Sequence, residues 1–146
     1  MRRWFVVMSL LIGALSAAPI AGATDKVVAD YMLNCQGCHL DDGRGFPLRG
    51  VPKLTNYVGN FLKVPGGREY LVQVPGSAQS DLNNEQLAAL LNWMLTTFSP
   101  DQLPSDFVRY NADEVAQLRP HPLVDVASRR AELVRQIDQI QSKSKQ

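Results

Sequence analysis

The sequence predicts an all-α fold, on three stretches whose apolar side chains recur at helical spacing: residues 25–38, 83–98 and 123–141. In the first, Asp25 is a candidate N-cap, followed by Val27, Val28, Tyr31 and Leu33 among polar positions. Residues 40–76 contrast with it. They hold seven glycines and four prolines, which predicts loops wrapped around something, with a short helix near Leu54–Lys63. In NNEQLAALLNWMLTTF, Asn83 and Gln86 have the capping-box spacing, and Leu87, Leu90, Leu91, Met94 and Phe98 fall on one helical face. Ser99-Pro100 ends that helix. Residues 99–105 are rich in turn formers and read as a linker. Asn111 and Glu114 repeat the capping-box spacing and open a short helix to about Leu118, which Pro120 and Pro122 interrupt. Beyond them Val126, Leu133, Ile137 and Ile140 share one side of a helix, and Arg130 breaks the stripe.

The N-terminus, MRRWFVVMSLLIGALSAAPIAGATDK, has the three parts of an export signal. Arg2 and Arg3 are the positive end, Trp4 to Ala18 the apolar run, and Ala21-Gly22-Ala23 the small-x-small cleavage site. The rival reading is a retained membrane anchor, but a run of 15 residues falls short of the roughly 20 that span a bilayer. Arg2-Arg3-Trp4-Phe5 also resembles a twin-arginine signal, too short a motif to fix the export route. The expected organisation is a signal peptide over 1–23 cleaved near Ala23, a domain over 24–98, a linker over 99–105 and a helical extension over 106–146. The mature protein then begins near Thr24 and works in the periplasm, with no stable membrane span.

Without Arg2 and Arg3 the 15 basic residues fall to 13 against 14 acidic ones, a net charge near −1 with both histidines neutral. Nucleic-acid binding, which calls for a basic excess, is not expected.

The chemistry is concentrated in YMLNCQGCHLDDG, which holds the chain's two cysteines, Cys35 and Cys38, followed at once by His39. Outside the cytoplasm two cysteines are ordinarily a disulfide. A Cys₂His₂ zinc site is arithmetically satisfied by adding His39 and His121, the only histidines, but His39 adjoins Cys38 and no second C-x-x-C exists. A thioredoxin-like redox pair wants a βαβ surround, and the flanks here are helical. The remaining reading is C-x-x-C-H as a c-type haem attachment site. Two thioether bonds tether the ring along one helical turn, and His39 lies under the iron as proximal ligand.

Residues 25–98 resemble the small single-haem cytochrome c domain of the mitochondrial and bacterial type. In that fold an N-terminal helix leads into C-x-x-C-H and crosses a C-terminal helix. Tyr31, four residues before Cys35, matches an aromatic position of the family, and Leu90 with Trp93 matches its Leu-x-x-aromatic pair. Pro52-Lys53-Leu54 resembles the Pro-x-Leu that follows the haem motif. The resemblance implies that the Pro52 carbonyl accepts the Nδ1–H of His39 and fixes its tautomer. One departure is Val27, where the family prefers a small residue at the helix crossing.

A second departure concerns the sixth iron ligand. The family supplies a methionine, commonly followed by proline, from a loop before the C-terminal helix. Here Val74-Pro75 stands in that slot, and valine has no donor atom. Met32 precedes the haem motif, Met94 sits on the C-terminal helix, and His121 stands in Arg119-Pro120-His121-Pro122. These, a lysine, a tyrosine, a partner's residue or an open, water-filled site all remain candidates. A Met/His pair suits a closed electron carrier, and an open position admits small ligands or peroxide.

The resemblance implies a one-electron carrier rather than a stand-alone enzyme, with one covalently attached haem c, its iron, and a redox partner such as a dehydrogenase, another cytochrome or an oxidase. Two alternatives are a ligand-binding or weakly peroxidatic haem protein, and a haem subunit of a larger periplasmic redox complex. Residues 106–146 are expected to cover the core, bind a partner or self-associate. Between Gly43 and Arg68 lie Arg44, Arg49, Lys53, Lys63 and Arg68 with no acidic residue before Glu69. They are a solvated loop face or a surface that steers an acidic partner.

Overall fold

Asn83 caps the helix around which the core is built. In the computed structural model, which describes residues 21–144, that helix is α5 (Asn84–Phe98). The Gln86 N–H donates to Asn83 Oδ1 over 2.9 Å and the Gln86 side chain accepts from the Asn83 N–H over 3.2 Å, so the expected capping box forms. Leu87, Leu90, Leu91 and Phe98 are buried as their spacing predicts, and Met94 is half-buried. Each fully buried leucine contributes roughly 1.5–3 kcal/mol.

The remaining helices are α1 (Ala21–Asn34), α2 (Gln36–His39), α3 (Gly67–Gln73), α4 (Pro75–Ala78), α6 (Ala112–Leu118) and α7 (Val126–Lys143). Short 3₁₀ turns occupy Pro47–Arg49, Val58–Lys63 and Pro100–Gln102. No strand occurs among the described residues, so the all-α expectation holds. The expected signal peptide lies, through Ile20, outside the described residues. No helix among the described residues is long and apolar enough to cross a membrane.

α1 packs on α5 through an aromatic cluster. The Tyr31 ring centroid lies 5.1 Å from that of Trp93 and 5.2 Å from that of Phe98. Val27 is half-buried against the same core. Two details differ from expectation. In the uncleaved chain Asp25 lies inside α1, which starts at Ala21, and does not cap it. The predicted helix over 25–38 is also two helices, since Cys35 leaves helical geometry with φ −128°.

Residues 40–76 contain more order than their glycines and prolines suggest. The helix expected near Leu54–Lys63 is the 3₁₀ turn Val58–Lys63, and α3 was not expected. α3 is seven residues long, starts behind a left-handed Gly66 and has no side-chain cap. Its Tyr70, Leu71 and Val72 are consecutive and all buried, so no helical stripe marks it in the sequence.

The C-terminal segment is part of the core. Asn92 exchanges two hydrogen bonds with the Tyr110 backbone, accepting from its N–H over 2.8 Å and donating to its carbonyl over 2.9 Å. Val115 of α6 and Leu133 and Ile137 of α7 are buried. α6 keeps only half of its expected capping box. Asn111 accepts from the Glu114 N–H over 2.9 Å, but the Glu114 carboxylate turns to the Arg68 guanidinium, at 2.5 and 2.7 Å. That guanidinium also lies over the Tyr110 ring, 4.0 Å from its centroid. α7 is capped by Asp125, whose carboxylate accepts from the Ser128 N–H over 3.0 Å. It packs on α3 and the Val58–Lys63 turn.

Candidate haem site

The site begins where α1 stops. The Cys35 N–H donates to the Tyr31 carbonyl over 2.9 Å, and the Cys38 and His39 N–H groups both donate to the Cys35 carbonyl, over 3.1 and 2.9 Å. One tight turn therefore brings two side-chain thiols and an imidazole together. Cys35 is half-buried, Cys38 is exposed, and both are free thiols. Burial, with Cys38 beside it, pushes the Cys35 thiol up to about 11. No group of three or more His, Cys, Asp or Glu side chains converges as a metal site among the described residues.

His39 is half-buried, and its Nδ1 lies 3.2 Å from the carbonyl oxygen of Pro52. A carbonyl only accepts, so Nδ1 carries the proton and Nε2 keeps its lone pair. Burial lowers the imidazole pKa, with the Pro52 bond opposing.

The loop between these residues is folded tightly. The Gly45 N–H donates to the His39 carbonyl over 3.0 Å, and Gly45 has φ +61°. A Cβ there would stand 2.6 Å from the Pro52 oxygen. Only glycine fits the close approach. Leu40, next after His39, has φ +66° and ψ +169°, a region almost confined to glycine. The Tyr31 hydroxyl donates to the Leu40 carbonyl over 2.5 Å and holds that residue in place.

Beside the turn is an apolar cleft. Its main part has a volume of about 640 Å³ and is lined by His39, Pro52, Leu54, Phe61, Tyr70 and Leu91, among others. A smaller part, about 160 Å³, is lined by Cys35 and Cys38 and shares His39, Val74, Leu91 and Met94 with the first. This size suits a bound cofactor, for which about 300–1,000 Å³ is usual. Two thiols at one end, an imidazole with a free Nε2 and apolar walls fit a flat macrocycle bound through sulfur and coordinated by nitrogen.

The residues weighed for the sixth ligand are scattered. Val74 and Met94 both line the cleft. Met32 is 58% exposed on α1, and His121 is exposed in the turn after α6; neither lines the cleft. Two lining residues were not singled out from sequence. Tyr70 falls in the stretch read as loop. Arg130 of α7 reaches the cleft from the extension, and its only sequence signal was the break it makes in an apolar stripe.

The basic residues between 43 and 68 have different partners. Arg44 lies 3.6 Å from the Asp42 carboxylate, Arg68 pairs with Glu114, and Lys63 donates to Asn60 over 3.4 Å. The Arg49 guanidinium carbon lies 6.0 Å from the Phe46 ring centroid, and Lys53 lines the cleft.

No family model matches the chain. It is 33% identical over 132 residues to a protein named cytochrome c-552 from Thermus thermophilus, covering 78% of this chain and 84% of that one. It is 32% identical over 113 residues to a second cytochrome c-552 from the same species, covering 65% and 86%.

Proposed function

This chain belongs to the small c-type cytochromes, and we propose that it is an exported one-electron carrier whose single haem c is bound through Cys35 and Cys38. In this reading His39 supplies the proximal nitrogen to iron, and Pro52 orients His39. The observation that carries it is the bond from His39 Nδ1–H to the Pro52 carbonyl, which leaves Nε2 free beside two uncombined thiols.

When bound, haem supplies a metal that gains and loses one electron. The protein's share is to hold and tune it. The two cysteines fix the ring by its edge, so it is retained through repeated turnover. The Pro52 carbonyl raises the basicity of the imidazole, which favours the oxidised metal and lowers the potential. Leu54, Phe61 and Leu91 keep water from the ring and lower the local dielectric. Export is supported by the sequence of residues 1–23, whose charged, apolar and small-residue parts match a secretory signal. The partner in this reading is a redox protein that docks briefly.

A potentiometric titration of the mature holoprotein tests the carrier role. The account predicts a reversible absorption change following a one-electron Nernst curve. An iron that cannot be cycled reversibly contradicts it.

A further inference from the structure

Among the groups of the cleft with no role so far, beside Lys53, Ser77 and Met94, are a phenol and a guanidinium. Tyr70 is 6% exposed, lines the cleft, and its hydroxyl makes no hydrogen bond among the described residues. No buried side-chain polar atom lacks a partner among the described residues, so that hydroxyl keeps some accessible surface. Its ring is fixed by stacking on Phe61, with centroids 5.0 Å apart and planes 20° from parallel. Val74 follows one turn later, its N–H donating to the Tyr70 carbonyl over 3.0 Å, and lines the same cleft. That wall therefore presents a hydroxyl and a valine, with no sulfur or imidazole from α3.

Arg130 adds charge. It is half-buried, lines the cleft, and makes no ion pair or hydrogen bond among the described residues. Its neighbour Arg129 pairs with Glu132 at 2.7 Å, and Arg68 pairs with Glu114. Its charge reaches Tyr70, whose phenol pKa is raised by burial and lowered by Arg130. A partly desolvated guanidinium on an apolar wall gains most from an anion that enters beside it.

We infer that this cleft admits a small exogenous anion to the sixth position of the iron, which Tyr70 receives with a hydrogen bond and Arg130 with its charge. The inference rests on the covalent haem proposed above. A distal pocket's donors and access decide whether a small ligand binds. Here the donors come from α3 and from the C-terminal extension, so the extension helps to build the site as well as covering the core.

Azide is the probe, added to ferric holoprotein whose covalent haem has first been verified by mass. The wild type is expected to be high-spin and to become low-spin as azide binds. Tyr70→Phe and Arg130→Gln, checked for native far-ultraviolet circular dichroism, are each expected to bind azide about tenfold more weakly, as loss of one charge-assisted contact implies. A low-spin spectrum unmoved by azide overturns the inference, and its loss on Met94→Ala would identify the internal ligand responsible. Equal azide affinity in all three proteins also overturns it, as does an Arg130→Gln change confined to the reduction potential, which assigns that guanidinium to a haem carboxylate. Absence of haem overturns the haem reading instead, and is distinguished by the mass.

Discussion

The Nδ1 of His39 lies 3.2 Å from the Pro52 carbonyl oxygen, thirteen residues along the chain. The loop that closes this distance depends on Gly45, where a Cβ would meet the same oxygen. Gly45→Ala is expected to push that carbonyl away and to cost about 1–3 kcal/mol, for strain at positive φ and the displaced contact. With the bond weakened the imidazole becomes less basic, so the reduction potential is expected to rise. Denaturant unfolding and a potentiometric titration read the two effects.

Tyr31 links the α1–α5 contact to the haem motif through its bond to Leu40. Tyr31→Phe keeps the ring packing and is expected to cost about 0.5–1.5 kcal/mol for the lost bond. Burial also pushes the Tyr31 phenol up to about 12 from the ordinary 10. A raised pKa favours the folded state fully below pH 10, and that contribution is lost as pH rises from 10 through 12. The wild type should therefore lose stability over that range more steeply than Tyr31→Phe.

Ser99 is fully buried, its Oγ accepting the Gly59 N–H over 3.0 Å and donating to Gln102 Oε1 over 2.9 Å. Ser99→Ala strands the Gly59 N–H and is expected to cost about 1–3 kcal/mol in denaturant unfolding. Ser105→Ala, at an exposed position, should change stability by less than about 0.5 kcal/mol.

Leu133 has no exposed surface although it lies in the C-terminal extension. Leu133→Ala is expected to cost about 2–5 kcal/mol. Because α7 packs on α3 and the Val58–Lys63 turn, circular dichroism and haem absorbance should report one shared transition. Early detachment of α7 with the haem environment unchanged would contradict that coupling.

What was legible in the sequence follows a physical pattern. The α5 stripe, both Asn caps and the C-x-x-C-H turn are local signals, and each reads as spaced. The Pro52 bond came from family resemblance, and its geometry agrees. α3 escaped because consecutive buried residues carry no period when an element is covered on several sides. Tyr70 was therefore missed with it. Arg130 was visible only as an interruption, because what an extension helix faces is settled by tertiary packing. Asp25 does not cap α1 in the uncleaved chain, because a helix start depends on the residues before it and there these are also helical.

Mass spectrometry of the peptide spanning residues 31–43, from protein made in a host that matures c-type haem, tests the account most directly. The prediction is a peptide heavier by one haem, with the haem still attached after acid–acetone extraction. An unmodified peptide, its cysteines free or joined to each other as a cystine, would contradict it.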